Sequence, residues 1–352
     1  MTDSPDRPLG GTTAPPPKDH FYGGQALIEG VMMRGRDIWA IAVRKPEGDL
    51  YIESHAIESV VAKRPILGKP FFRGIIVLVQ SLRIGFRALM ISARVSSPEE
   101  VQLSSTAMGF SMVIAILLFL GLFIAFPAAL FGWVGDRVGS GVWTSVAEGV
   151  FRVLLFLGYL LIIGQTKDIR RVFQFHGAEH KTIAAYEHDE PLEPERVDRY
   201  STLHVRCGTN FLLIVMVLTI LVFAFFGSPP IPWRILSRIV AIPLIAGFAY
   251  EMLRLGARFP NSWVMKALMT PGLWLQKITT KPPTIDQIDV AIASFNEVLR
   301  REGGGAEPVD GRVPVPGSIS PDPPPGLAPP PSEQSPDPDG AASGPAGSPD
   351  RG

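Results

Sequence analysis

The chain has little with which to bind nucleic acid or to form disulfides. Its 352 residues hold 33 Lys and Arg against 33 Asp and Glu, so the formal net charge is zero. Bulk electrostatics therefore predicts no nucleic-acid partner. Cys207 is the single cysteine, which excludes an intramolecular disulfide and is typical of a reducing compartment. The first 20 residues hold no apolar run, so no secretory signal peptide is predicted.

Both ends of the chain also lack apolar residues to bury. Residues 1–20 contain five prolines, and residues 308–352 contain 14 prolines among Gly, Ser and Asp. Such a composition predicts disordered tails at 1–20 and 303–352. A polyproline ligand is the alternative for the C-terminal tail. The folded, polytopic membrane domain is therefore predicted to cover residues 21–302.

The chain contains several long runs of uncharged, apolar residues. About 20 residues in a helix cross a hydrocarbon core of about 30 Å. The runs predict membrane spans at about 108–132, 148–166, 211–227 and 236–255. The second and fourth spans require their flanking charges to lie at the rim or to face other helices. Each of these two segments could instead be a re-entrant or interfacial helix.

The distribution of basic residues predicts which loops face the cytoplasm. Residues 34–94 and 167–206 are rich in Lys and Arg, whereas residues 134–149 hold one Arg. Cytoplasmic loops carry the excess of positive charge. The pattern predicts a multi-pass membrane protein with both termini in the cytoplasm. The loop at 167–210, between the second and third spans, is then cytosolic.

The fold class that follows is a mainly α membrane protein with about four transmembrane helices and cytosolic-face loops. Residues 39–44 and 50–55 flank a Pro/Gly turn and predict a small N-terminal β-hairpin. Residues 71–95 carry a basic stripe on an apolar helix, which predicts an interfacial helix or one buried against the spans. Thr284 and Gln287 predict a capping box at the start of a final amphipathic helix.

The stretch QFHGAEHKTIAAYEH, residues 174–188, holds the strongest candidate for chemistry. His176, Glu179 and His180 match H-x-x-E-H, the reversed form of a zinc-protease motif. Two imidazoles four residues apart on a helix can bind one tetrahedral ion from the same side. Glu179 is then the candidate general base toward a water molecule activated by the ion. Glu187, eleven residues after His176, is on the same helical face and is a candidate third ligand.

A second pair of candidate ligands lies at the other end of the same loop. His204 and Cys207 stand three residues apart in LHVRCGTN, directly before the third span. Imidazole and thiol favour a divalent metal, with zinc first among them. Two other interpretations stay open: a satisfied polar network without metal, and Cys207 acting as a nucleophile beside His204.

The glycine-rich stretch GGQALIEGVMMRG, residues 23–35, predicts a backbone that other groups approach closely. It lacks the endings of a Walker loop and of a dinucleotide-binding loop. Glu29 within it is equally a candidate ligand or acid and a candidate partner for Arg34.

Four blocks together resemble the YqhQ-like family of bacterial membrane proteins: GGQALIEGVMMRG, FHGAEHKTIAAYE, STLHVRCGTNFLLIV and PGLWLQKITTKPP. The likeness covers about residues 22–301, with the blocks in the right order. That family is a domain of unknown function described as metal-dependent enzymes. The resemblance implies a location in the bacterial inner (plasma) membrane and a metal at the same histidine motif, but it implies no particular reaction.

These observations predict metal-assisted hydrolysis at the cytosolic face, with a lipid or a membrane-peptide substrate drawn from the bilayer. A non-catalytic membrane scaffold or assembly factor with a structural metal or polar site is one alternative. A transporter is the other, because Glu148, Arg152, Arg238 and Glu251 are ionisable groups near the weaker spans. Glu148 and Arg152, four residues apart, are predicted to pair on one helical face.

Overall fold

The computed structural model of the chain describes residues 22–57, 69, 72–98, 105–138, 141–204, 207–226, 231–259 and 262–303. It is mainly helical and has one antiparallel sheet near its N-terminal end. The predicted tails at 1–20 and 303–352 lie outside the described residues, apart from Gly303.

The sheet has four strands in sequential order: β1 (Gly23–Leu27), β2 (Gly30–Arg34), β3 (Ile38–Arg44) and β4 (Leu50–Ala56). The predicted hairpin is confirmed, since β3 and β4 pair antiparallel in a register that sets Ile41 opposite Glu53. The sheet is larger than predicted because the glycine-rich stretch forms a second hairpin, β1 and β2. A two-residue turn at Ile28 and Glu29 joins these strands, and Glu29 adopts a positive φ of 54° there.

The helices follow in chain order: α1 (Phe72–Val95), α2 (Ser105–Leu120), α3 (Phe126–Val138), α4 (Val142–Ile163), α5 (Lys167–Glu187), α6 (Pro194–Val197), α7 (Gly208–Phe226), α8 (Ile231–Arg258), α9 (Trp263–Thr279) and α10 (Ile285–Glu302). A five-residue π-helical segment, Gly121–Ala125, joins α2 to α3. Helix α10 begins with the predicted capping box: Thr284 accepts from the Gln287 amide, and the Gln287 side chain accepts from the Thr284 amide at 3.0 Å.

Both faces of the sheet are covered, because its apolar residues alternate with a period of two. Helices α5 and α10 pack on one face, where Val31 and Met33 of β2 meet Phe175 and Phe295. Helix α1 covers the other face. The core on that side consists of Leu27, Met32, Trp39, Ile41 and Val43 from the sheet with Ile84 and Ala88 from α1.

Within the described residues, five helices are long and apolar enough to cross a membrane: Arg73–Val95, Thr106–Val134, Val142–Ile163, Gly208–Phe225 and Leu236–Gly256. Their length and composition suggest a membrane protein. Four of them overlap the four predicted spans. The fifth is α1, the helix for which the sequence predicts an interfacial or a buried position.

Five ionisable groups of the apolar helices form ion pairs with one another. The predicted pair is confirmed, with Arg152 Nη2 2.7 Å from Glu148 Oε1. Arg238 Nη2 of α8 also reaches that oxygen at 2.6 Å. Glu251 of α8 pairs with Arg73 of α1 at 2.5 Å. These charges therefore join helices to one another.

Candidate metal centre

Helix α5 carries His176 and His180 one turn apart, and both rings are held through Nδ1. The Nδ1 atom of His176 lies 2.9 Å from the carbonyl oxygen of Thr279. The Nδ1 atom of His180 lies 2.6 Å from the carbonyl oxygen of Thr202. A carbonyl oxygen only accepts a hydrogen bond, so each Nδ1 carries the proton and donates. When Nδ1 carries the only ring proton, the lone pair is on Nε2, as in metal-binding histidines held by a backbone carbonyl.

Cys207 lies beside the two rings. Nε2 of His176 is 3.2 Å from the Cys207 sulfur, and the two imidazole centroids are 4.4 Å apart. One ligand atom from each of His176, His180 and Cys207 lies within 4.8 Å of the others. Nε2 of His180 is buried without a hydrogen-bond partner among the described residues. Buried polar atoms are normally satisfied, so this orphaned acceptor fits a site for a cation.

The chemistry of these donors fits zinc. Imidazole nitrogen and thiolate sulfur are both zinc ligands, and three protein donors leave a fourth coordination position. Burial, followed by the neighbouring His176, places the pKa of His180 well below its ordinary value, so the ring stays neutral. Burial also raises the pKa of the Cys207 thiol. The thiol therefore keeps its proton and donates it toward His176, and a bound cation would displace that proton.

Glu179 lies beside the two histidines on the same helix and is 5% exposed. The backbone N–H of Gly24 in β1 donates to its carboxylate. Burial raises the pKa of Glu179 to about 8, and the neighbouring His176 and the Gly24 amide partly oppose that rise. A carboxyl group whose pKa is near neutral pH can both accept and release a proton.

Close contact between β1 and α5 requires glycine at position 24. A Cβ atom on Gly24 would lie 2.6 Å from the carbonyl oxygen of Met32 and 2.9 Å from the side chain of Glu179. The expectation of close approach in the glycine-rich stretch is thus correct at this position. Gly177, between the two histidines, is also tightly packed, since a Cβ there would overlap the carbonyl oxygen of Lys281.

The other two candidate ligands contact each other. Nε2 of His204 is 3.3 Å from Oε2 of Glu187, and the His204 ring centroid is 5.7 Å from that of His180. Neither residue belongs to the group of three donors. Burial lowers the pKa of His204 to about 4, so a neutral ring donates to Glu187. The Gln276 side chain holds the His204 backbone with two hydrogen bonds of 2.8 Å.

Glu29 pairs with Arg171 of α5 and not with Arg34. Its Oε2 accepts from Nη2 of Arg171 at 2.6 Å. Arg34 binds Gln80 and Ser81 of α1. The interpretation of Glu29 and Arg34 as a pair is therefore wrong, and Glu29 links the first hairpin to α5.

A cavity of about 400 Å³ opens beside the three donors. Such a volume is within the range of small-ligand sites. Its polar wall contains Glu179 and His204 together with the donors, and its apolar wall comes from the long helices. The apolar wall includes Phe156, Leu160, Leu212 and Leu275.

The residues that orient the site were missed by sequence reasoning. Thr202 and Thr279 act through their carbonyl oxygens, so their side chains carried no signal. Gln276 and Gly24 act through contacts with residues far away in the chain. The available signal was their position in the STLHVRCGTNFLLIV, PGLWLQKITTKPP and GGQALIEGVMMRG blocks, three of the four blocks used for the family resemblance.

The fold and the site define a class: mainly helical proteins with several membrane-length apolar helices and a His/His/Cys cluster at a cavity. The family model described as "Protein of unknown function (DUF1385)" matches residues 69–301. The uncharacterized protein YqhQ of Bacillus subtilis (strain 168) is 34% identical over 299 residues, which cover 80% of this chain and 93% of that relative. No solved structure matches. The chain therefore belongs to the DUF1385 family, and its resemblance to YqhQ is confirmed.

Proposed function

We propose that this protein is a metal-dependent hydrolase at the cytosolic face of the bacterial inner membrane. The observation that carries the proposal is the orientation of two imidazoles. Carbonyl oxygens of Thr279 and Thr202 accept from Nδ1 of His176 and His180, so Nε2 is the remaining donor atom of each ring. One ligand atom of each ring lies within 4.8 Å of the Cys207 sulfur. Zinc is the metal that we expect, with His176, His180 and Cys207 as ligands.

The cavity favours catalysis over a structural metal. Structural zinc sites use four protein ligands, whereas catalytic sites keep one position for water or substrate. Three donors beside a cavity of about 400 Å³ correspond to the second arrangement. A bound divalent cation would supply Lewis-acid activation of water or of a substrate carbonyl.

Glu179 supplies the proton transfers of the proposed reaction. Its carboxylate takes a proton from water as the water oxygen adds to the carbonyl carbon of an ester or amide. The bond from that carbon to the leaving oxygen or nitrogen then breaks, and Glu179 returns the proton to the leaving group. The Gly24 amide orients the carboxylate throughout.

We further propose four crossings, with α1 lying along the cytosolic surface. The sheet and α5 share one hydrophobic core, so both lie on one side of the membrane. The chain between them must therefore cross an even number of times. Three apolar helices lie in that interval: α1, the α2–α3 segment and α4. Helix α1 is the one that we exclude, because Ile84 and Ala88 at its middle pack on the sheet itself.

The exposed side of α1 supports this position. Val79, Leu82 and Phe86 are exposed, and they fall on one helical face with Arg83 close by. An apolar face flanked by basic side chains is typical of a helix in the headgroup layer. The bilayer is thus a partner of α1 as well as of the spanning helices.

Labelling of single cysteines tests this topology. In a Cys207→Ala background, we expect an impermeant maleimide to leave Glu47→Cys and Glu190→Cys unmodified in intact cells. Ser140→Cys, in the connection before α4, should react, because it follows an odd number of crossings. After permeabilisation all three should react. Labelling of Glu47→Cys and Glu190→Cys from opposite sides would contradict the even number of crossings.

Metal content and hydrolysis test the function itself. Detergent-purified protein should contain about one zinc per chain by mass spectrometry, and it should cleave ester or peptide reporters. A chelator should remove the metal and the activity together, and zinc should restore both. Metal-free protein that cannot be loaded with zinc, or loaded protein without hydrolytic activity on any reporter, would refute the proposal.

A further inference from the structure

The outer edge of β1 borders the cavity of the candidate metal centre. The strand pairs with β2 on one side only, because it is the first in the order β1-β2-β3-β4. Gly23, Gly24, Gln25 and Ala26 line the same cavity as His176 and Glu179. An edge strand beside reactive groups is a template for pairing with another extended chain.

The register defines which backbone groups point outward. In an antiparallel ladder, residues alternate between pairs that exchange hydrogen bonds and pairs that do not. The Gly24 amide donates to Glu179, so Gly24 and Met33 form a pair of the second kind. Ala26, two residues on, faces Val31 in the same kind of pair. The N–H and C=O of Ala26 therefore point away from β2, on the side of Glu179.

The neighbouring ladder gives the same assignment. The Arg44 amide donates to the carbonyl of Glu29 at 2.8 Å, so the next pair, Gly30 with Val43, exchanges no hydrogen bonds. The polar groups of Gly30 then point to β1, where its partner is Leu27. Because this direction alternates along β1, the backbone polar groups of Ala26 and Gly24 point outward, away from β2. No backbone hydrogen bond to Ala26 from outside its own hairpin is found among the described residues.

We propose that the substrate is an extended peptide segment that adds to the outer edge of β1, with its scissile carbonyl beside Glu179 and the three donors. The inference rests on the proposed hydrolase function and specifies its substrate class. The Ala26 N–H and C=O would bind one residue of the peptide as a neighbouring strand does.

The location of Glu179 connects this docking to the reaction. Gly24 and Ala26 are two residues apart on one edge, and the Gly24 amide is already bound to the catalytic carboxylate. A peptide paired at Ala26 therefore runs past Glu179 as it leaves the edge. Phe156, Leu160, Leu212 and Leu275 form the apolar wall of the cavity, so the peptide should carry apolar side chains there. Such a segment fits a membrane-derived polypeptide at the bilayer surface better than a polar, soluble peptide.

The test compares Ala26→Pro with Ala26→Val in full-length, zinc-loaded protein. Proline removes the outward N–H, and an edge strand tolerates it because that N–H bonds to no strand. Valine adds bulk but keeps the donor. Using a quenched-fluorescence library of random octapeptides, we expect kcat/KM to fall at least about 10-fold for Ala26→Pro. The readout is the ratio of peptide cleavage to hydrolysis of a small ester in the same preparation. This ratio should fall less for Ala26→Val, which keeps the N–H, than for Ala26→Pro, and both variants should retain zinc.

A small activated ester, p-nitrophenyl acetate, separates docking from chemistry, since it has no backbone amide to pair. Ala26→Pro should therefore lower peptide cleavage at least about 10-fold more than it lowers ester hydrolysis. A second probe needs no variant: the same octapeptide library with N-methylated backbone amides should be cleaved at least about 10-fold more slowly by wild-type protein. Peptide cleavage by Ala26→Pro at the wild-type rate, or equal cleavage of the two libraries, would overturn the docking proposal. Wild-type protein that neither binds zinc nor hydrolyses the ester would instead refute the hydrolase function.

Discussion

Replacement of His180 by alanine is expected to remove most of the bound metal. Nε2 of His180 is buried and has no hydrogen-bond partner within the described part of the chain, and the proposed cation would supply that partner. Loss of residues that merely support a ligand lowers metal affinity about 10–100-fold. Loss of the ligand itself should cost at least that much. Titration of chelated protein with zinc, followed by mass spectrometry, measures the change.

His188→Ala is the matched control for this experiment. His188 caps the C-terminal end of the same helix, is exposed, and binds the carbonyl of Ala184 at 2.7 Å. Its loss removes an imidazole from α5 without touching the donor group. Equal loss of zinc in His188→Ala and His180→Ala would contradict the assignment, as would full retention in His180→Ala.

The same titration identifies the third ligand. Cys207→Ser should weaken zinc binding strongly, because the hydroxyl is a much poorer ligand than a thiolate. His204→Ala and Glu187→Ala should retain most of the metal, since these two residues bind each other at 3.3 Å. The reverse ranking would move the site toward His204.

Glu179→Gln is expected to abolish hydrolysis while the protein keeps its metal. Loss of a general base lowers the rate about 10²–10⁴-fold. Glutamine has nearly the same shape, and its side-chain oxygen can still accept from the Gly24 amide. The metal content and thermal stability should therefore stay close to wild type. The measurement is kcat on peptide and ester reporters, together with zinc content in the same preparation.

Glu195→Gln provides the control for the charge change. Glu195 is exposed in the first turn of α6, away from the three donors and from the cavity lining. It should leave the rate unchanged. If Glu179→Gln also loses its zinc, then Glu179 acts as a ligand or a structural partner, and its assignment as general base is wrong.

Local patterns in the sequence were enough for several elements. The hairpin at 39–44 and 50–55, the capping box of α10 and the pairing of Glu148 with Arg152 follow from residues close together in the chain. The helix that carries the H-x-x-E-H motif extends from Lys167 to Glu187. Each of these depends on side-chain period or on a contact within four residues.

Long-range contacts were beyond such patterns. The glycine-rich stretch forms a hairpin, and Glu29 in its turn pairs with Arg171 across 142 residues. The position of α1 depends on its contact with the sheet, because its composition suits an interfacial, a buried and a spanning helix equally. The proposed even number of crossings between the sheet and α5 follows only from the hydrophobic core that these two elements share.

The sequence by itself determined the candidate ligands. Residue type and spacing alone identify two imidazoles four residues apart on a helix and one thiol as possible metal ligands. Only the tertiary structure decided how these groups are oriented. The carbonyl of Thr279 accepts from His176, 103 residues away in the chain, and the amide of Gly24 in β1 donates to Glu179 in α5. A backbone carbonyl or amide is the same in every residue except proline, which has no amide N–H. Side-chain identity therefore does not predict which backbone groups will bind an imidazole or a carboxylate. That selection is made when the sheet, α5 and the segment after α9 pack together.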